Sequence, residues 1–187
     1  MTSKEQKRDE NSIDSSTRLA IPGDLVFENE GLDDAANRIL KELTNLEGIY
    51  LRQFEAFGDP SRVKELKDQD WLKANREDPE AHVITVAYFS LVRMDLVQPE
   101  ASSFASNTYW VEMHNIPDLA FDHNIIIDKA LKRLQLNVEQ KSIGFELLPE
   151  KFTLTQIQNL YEAILDRPLD KRNFRKSIKK LDAILPL

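Results

Sequence analysis

The segment 170–181, DKRNFRKSIKKL, holds the side chains best suited to meeting a charged partner. Lys171, Arg172, Arg175, Lys176, Lys179 and Lys180 are six cations within ten residues, with no acid among them. At about 100° per residue, Phe174, Ile178, Leu181 and Leu185 gather on one side of a helix. Arg172, Arg175, Lys176, Lys179 and Lys180 fan across the other. A helix built this way docks by its apolar face and presents cations outward, an arrangement that nucleic-acid phosphates reward through counterion release. Lys176 and Lys179 suit phosphates, and Lys171 stands beside them as a further candidate DNA-binding residue. Arg172, Asn173 and Arg175 stand near the helix start, where recognition-helix residues reach base edges. The bland alternative is a solvated basic face with no partner.

Other chemistries find little support. His82, His114 and His123 have no metal-ligand spacing, and the chain has no cysteine to join them. No Ser-His-Asp order and no phosphate-cradling glycine loop stands out. We therefore assign no catalytic residue, metal or cofactor. The absence of cysteine also excludes disulfides and thiolate metal sites, which fits a reducing cytoplasm.

The net charge of -7 over 187 residues argues against a chain that binds nucleic acid along its whole length. The charge is uneven: residues 149–187 carry eight Lys/Arg and five Asp/Glu, or +3, which leaves -10 for the rest. Such asymmetry suits a part that meets a polyanion. No run approaches the roughly 18 apolar residues of a membrane span, and residues 1–17 are a polar tail without the apolar core of a signal peptide.

Elements that position these residues follow from periodicity. Leu32, Ala35, Ala36, Ile39, Leu40 and Leu43 recur at helical spacing, with Asp33 and Asp34 in the first turn and Asn45 as a stop. IYLRQFEAF (49–57) reads as a strand, and a charged excursion at 58–81 holds a short helix around 63–72. HVITVAYFSLV (82–92), apolar on both faces, reads as a central strand. TYWVEM (108–113) reads as another, and a helix follows with Asp122 as its cap. Trp110 and Phe121 are expected in the core, and His123 is expected to fix the helix start. In FTLTQIQNLYEAIL (152–165), Thr153 and Gln156 form a capping box, and Phe152 and Ile157 form a hydrophobic staple. DRPLD then breaks the helix, and Asp170 caps a second one, with Leu169 and Phe174 as its staple. Two short amphipathic helices across a tight turn make a helix-turn-helix pattern.

Residues 23–46 resemble the Nudix box of the Nudix hydrolases. Glu30, seven intervening residues and Arg38 keep the box spacing, Leu40 and Leu46 fill aliphatic positions, and Glu42 keeps one carboxylate. Asp24 takes the place of the first Gly, Asn45 that of the last Gly, and Ile39 and Leu43 stand where two Glu residues belong. The family's reaction uses divalent ions held by carboxylates on this helix. Magnesium takes hard oxygen ligands, and Ile39 and Leu43 offer none. Their expected role is core packing, and that of Glu42 is a solvated carboxylate.

FGDPSR, VITVAYFSLV, the LAFDH stretch, FTLTQIQNLYE and LDKRNFRK together resemble the Nudix-related transcriptional regulators over residues 19–187. The resemblance implies an α+β chain with a polar tail (1–17), a Nudix-like α/β/α sandwich that senses a ligand (18–142), and a winged helix-turn-helix domain (143–187). The strands that precede the box in the family are expected to be missing, and the wing truncated. The implied function is a cytoplasmic, homodimeric regulator that binds a palindromic operator. Its catalytically inactive sensor would take a sugar, sugar phosphate or ADP-ribose type effector. The alternative is a Nudix hydrolase acting on a nucleoside diphosphate derivative with relocated ligands such as Glu28, Glu30 and Glu42. A third reading is a scaffold with no role at DNA.

Overall fold

Helix α1 spans Leu32–Thr44. It stops where expected: Asn45 adopts the left-handed conformation, φ 57°, and donates its N–H to the Lys41 carbonyl. Short polar Asn tolerates that conformation better than most residues. The computed structural model describes residues 19–64, 66–75, 77–92, 97–100, 108, 110–139 and 151–179. The polar tail, the segment between the two halves and the region of the expected wing lie outside the described residues, as do Lys180, Leu181 and Leu185.

Strands β1 (Arg52–Phe57) and β2 (Thr85–Phe89) pair antiparallel, from Arg52 opposite Phe89 to Phe57 opposite Thr85, with an irregularity between Gln53 and Glu55. The expectation of a central strand over 82–92 is corrected. The strand is shorter, β1 is its one partner among the described residues, and only Ala87 of its five residues is buried. The strand expected at 108–113 is also corrected. Residues 110–112 are irregular and lead into a 3-10 turn, Met113–Asn115. No sheet edge among the described residues supplies ladder partners there. Trp110, expected in the core, is 44% exposed, and its indole N–H lies 3.4 Å from the Val97 carbonyl oxygen. Phe121 is half-buried.

Helix α2 spans Leu66–Asn75, later than the expected start at 63. Asp59 accounts for the delay. Its carboxylate takes the Ser61 N–H at 2.7 Å and its carbonyl takes the Arg62 N–H, so the chain turns before it coils. Helix α3 spans His123–Glu139. Helices α4 (Leu154–Leu165) and α5 (Lys171–Ile178) carry the expected caps. Thr153 and Gln156 exchange both bonds of the capping box, at 3.1 and 2.8 Å. Asp170 accepts the Asn173 N–H at 2.7 Å.

Two apolar clusters hold the strands and helices α3 to α5. One joins Phe57 of β1, Ala87 of β2 and Ile126 of α3. The other joins Val138 of α3 to Ile157, Tyr161 and Ile164 of α4 and to Phe174 and Ile178 of α5. The turn between α4 and α5 is set by side chains: Glu162 accepts the Leu169 N–H at 2.9 Å, and Gln158 donates to the Leu169 carbonyl at 3.1 Å. Both staple residues, Phe152 and Leu169, pack on this second cluster.

Candidate functional site

The box residues form a clamp around one guanidinium. Arg38 donates through Nε and Nη2 to both oxygens of Glu30, at 2.9 and 2.6 Å, and through Nη1 to Glu42 at 2.9 Å. Nη2 also reaches the Leu25 carbonyl at 2.8 Å, and the guanidinium carbon lies 3.9 Å over the Phe27 ring. Glu30 accepts the Phe27 N–H at 2.8 Å. The Arg38 hydrogen bonds first, and the Phe27 N–H second, hold the Glu30 carboxyl down to about 2. The loop 24–30 is thus fastened to α1 by a bidentate pair, the strongest ion-pair geometry a carboxylate can make.

This arrangement does not fit a divalent ion. The two carboxylates that the box retains are engaged by Arg38. Ile39 and Leu43 are aliphatic and half-buried, so they can supply no oxygen. The expectation that these two are core residues is corrected, because only Ala35 and Thr44 of α1 are buried. Glu42 is the solvated carboxylate expected, its side chain 44% exposed, and it is also a partner of Arg38.

A second cluster unites sequence segments far apart in the chain. Arg62 donates through Nε and Nη2 to the two oxygens of Asp122, at 2.9 and 2.7 Å, and through Nη1 to the Thr85 hydroxyl at 2.5 Å. The side chains of Arg62 and Asp122 are only 5% and 11% exposed. Asp122 was expected to cap α3 with its side chain. Its carboxylate serves Arg62 instead, while its carbonyl accepts the Ile126 N–H. His123 opens α3 as expected, and its Nδ1 accepts the Ile21 N–H at 3.1 Å, which leaves the ring proton on Nε2. Burial lowers the His123 pKa, which favours this neutral form. Phe121 is left-handed, φ 54°, and donates its N–H to the buried Asp68 at 3.1 Å. The residues of this cluster were not singled out as partners. Their signal was the joint occurrence of FGDPSR and LAFDH, which local periodicity cannot pair.

The third arrangement is the basic face of α5. Phe174 and Ile178 are buried, and the Phe174 ring meets Tyr161 edge to face at 5.0 Å. Lys171, Arg172, Asn173, Lys176 and Lys179 are exposed. Arg175 differs from the rest. It is half-buried, its Nη2 lies 3.4 Å from the Thr155 hydroxyl of α4, and its buried Nε has no partner among the described residues. The helix therefore stands on α4 by Phe174 and Ile178, with Arg175 beside them, and Lys171, Arg172, Lys176 and Lys179 are exposed.

Comparison with known proteins follows this division. Residues 144–187 match the NrtR DNA-binding winged helix domain. The chain is 31% identical over 161 residues to the ADPR responsive transcriptional repressor NtrR of Acinetobacter baylyi, covering 84% of this chain and 58% of that protein. Its fold matches Shewanella oneidensis NrtR in complex with a 27mer DNA, with a TM-score of 0.62 at 25% identity, over 87% of this chain and 69% of the other. The chain is similar to Nudix-related transcriptional regulators, and it spans less than two thirds of the length of the curated relative that it matches. A MutT/nudix family protein of Enterococcus faecalis shares the fold, with a TM-score of 0.67 at 24% identity, over 85% of this chain and 66% of the other. The α+β architecture with a Nudix-like part and a carboxy-terminal winged helix is thereby shown. The basic face of α5 lies within the winged-helix match, and the clamp and the buried cluster lie in the part of the chain before it.

Proposed function

We propose that this chain is a transcriptional regulator that binds operator DNA through α5 and whose Nudix-like part senses an ADP-ribose type metabolite. The observation that carries the reading is α5 itself: a capped helix docked by Phe174 and Ile178 on a helix-turn-helix partner, with Lys171, Arg172, Asn173, Lys176 and Lys179 exposed. Phosphate contacts from Lys176 and Lys179 would supply affinity and register, and Arg172, Asn173 and Arg175 would meet base edges. The nucleotide class of the effector is supported by the relative's description as ADPR responsive. Sugar and sugar phosphate effectors are the simpler members of the same chemistry. We place the protein in the cytoplasm as a homodimer, whose two α5 helices would meet the half-sites of a palindromic operator.

Regulation is then a coupling free energy between two sites. The metabolite favours one arrangement of the chain and DNA favours another. The Nudix-like part contributes a frame without hydrolysis, because Ile39 and Leu43 replace ligands and Arg38 holds Glu30 and Glu42. The test is fluorescence anisotropy of duplexes from the region upstream of the protein's own gene, with and without ADP-ribose, beside a magnesium-dependent turnover assay. Saturable duplex binding that ADP-ribose shifts, without turnover, is the expected result. Turnover of ADP-ribose that Glu42→Gln abolishes would replace this reading with the hydrolase.

A further inference from the structure

Helix α3 takes part in both apolar clusters. Ile126, in its first turn, is 3% exposed and packs with Phe57 and Ala87 of the sheet. Val138, in its last turn, is 5% exposed and joins the apolar cluster in which α4 carries Phe174 and Ile178 of α5. The step of twelve residues from one to the other rises about 18 Å at the helical pitch. The span 123–139 contains neither Gly nor Pro, the usual causes of a kink. Each end is fastened by polar contacts as well. Lys129 pairs with Glu55 of β1, and Gln135 donates to the Ile164 carbonyl of α4 at 3.0 Å.

The start of α3 is where the other sites converge. Arg62 holds Asp122, Asp68 holds the Phe121 N–H, and Ile21 donates to His123. Ile21 lies four residues before Leu25, whose carbonyl Arg38 grips in the box clamp. Displacement of the segment 21–30 therefore acts directly on the first residue of α3. The helix ends in the same apolar cluster as Phe174.

We propose that α3 is the transmission rod of the regulator: the box clamp and the Arg62–Asp122 cluster set its start, and its last turn sets the seat of α5. This rests on the regulator reading only for what it transmits; the mechanical linkage stands on the packing. A rod must be stiff between its ends. Asp128 and Lys132 are exposed and lie between Ile126 and the part of α3 that enters the second cluster. Replacing both with Gly weakens the helix there, each Gly disfavouring helix by about 1 kcal/mol relative to Ala. Replacing both with Ala removes the same side chains and keeps the helix.

Two measurements on the full chain decide the matter. The first needs neither ligand nor DNA. Asp122→Asn is introduced into the Ala-pair and Gly-pair backgrounds, and amide hydrogen exchange is followed at Ile157, Ile164 and Phe174. Asp122→Asn accelerates exchange at these amides in the Ala pair and has a much smaller effect in the Gly pair. Equal effects in both backgrounds, or none at α4 and α5 in either, overturn the proposal. The second measures the ADP-ribose effect on duplex affinity. Wild type and the Ala pair show a shift in the usual allosteric range of about 5- to 150-fold. The Gly pair keeps both affinities when each partner is measured alone, and loses most of the shift. A Gly pair that keeps the full shift overturns the proposal. If wild type binds neither partner, the regulator reading falls, and the exchange experiment still decides whether α3 transmits.

Discussion

Tyr161→Phe tests the packing that seats α5. Tyr161 is 5% exposed, and its ring lies against Phe174 at 5.0 Å with the planes at 72°. Its hydroxyl is buried and has no hydrogen-bond partner among the described residues. Leaving a buried hydroxyl unsatisfied costs about 1–3 kcal/mol. The substitution deletes that one oxygen and preserves the edge-to-face contact, so a net stabilisation of about 1 kcal/mol is expected at the low end of that range. For a chain of 150–250 residues this corresponds to a rise in Tm of about 2–4 °C. The pH dependence gives a second signature. Burial pushes the Tyr161 phenol up to about 12, above its ordinary 10.0. Its contribution is complete below the unfolded value and is lost as pH rises from 10 towards 12, because the unfolded phenol ionises first. The advantage of Phe over Tyr should therefore widen across that range. The assay is calorimetry of both proteins at neutral and alkaline pH, with duplex affinity measured in parallel. A lower Tm for Tyr161→Phe would show that the hydroxyl has a partner and refute the reasoning. An unchanged Tm with a tenfold loss of duplex affinity would refute it differently, by giving the hydroxyl to DNA.

Further predictions concern the caps, the clamp and the basic face. Thr153→Ala removes the acceptor of the Gln156 N–H and should cost about 1 kcal/mol in thermal or denaturant unfolding; an unchanged midpoint would mean the box does not set the start of α4. Glu30 is held down to about 2, so its contribution is present above the ordinary carboxyl value of 4.5 and is lost as pH falls towards 2. Glu30→Gln should flatten this acid limb in pH-dependent melting, and an identical limb would place the loss elsewhere. Lys176→Ala should weaken specific and non-specific duplexes alike and reduce the log-log salt slope by about 0.9, whereas Arg175→Ala should cost about 1–3 kcal/mol at the operator and relax discrimination. Because Arg175 also touches Thr155, Thr155→Val in the same salt titrations separates a bracing role from a base contact: a loss of discrimination like that of Arg175→Ala would assign Arg175 to the brace.

The caps and amphipathic faces of α1, α4 and α5 were legible because their signals are local. Thr153 with Gln156, Asp170 ahead of Asn173, and Asn45 at the end of α1 each act within four residues of chain. Local pattern failed where a neighbour decides the outcome. VITVAYFSLV looks like a buried strand by composition, yet burial needs cover on both faces, and β2 has one paired neighbour among the described residues. Trp110 is apolar enough for a core and is left exposed by a segment that joins no strand among the described residues. Arg62 and Asp122 are 60 residues apart. Nothing in the periodicity of either segment announces that they form one buried pair, though the type of each residue, a charge that burial demands be matched, makes the pairing intelligible afterwards.

The same reasoning bears on why a box would keep Glu30, Arg38 and Glu42 and lose the other carboxylates. Carboxylates crowded on one helix face repel, and an enzyme of this family offsets that repulsion with its divalent ions. Ile39 and Leu43 remove two charges from the face, and the Arg38 guanidinium neutralises the acids that remain next to it. The clamp on the loop 24–30 is then complete within the chain, from the Leu25 carbonyl to the Phe27 ring. A loop held this way needs no ion to take its shape. In the proposed regulator its position would respond to a bound metabolite, and Ile21 on His123 connects that position to the start of α3. In the proposed regulator, loss of the ligand-bearing carboxylates and retention of the arginine clamp are two parts of one change, from a helix that would hold metal to a helix that holds a loop.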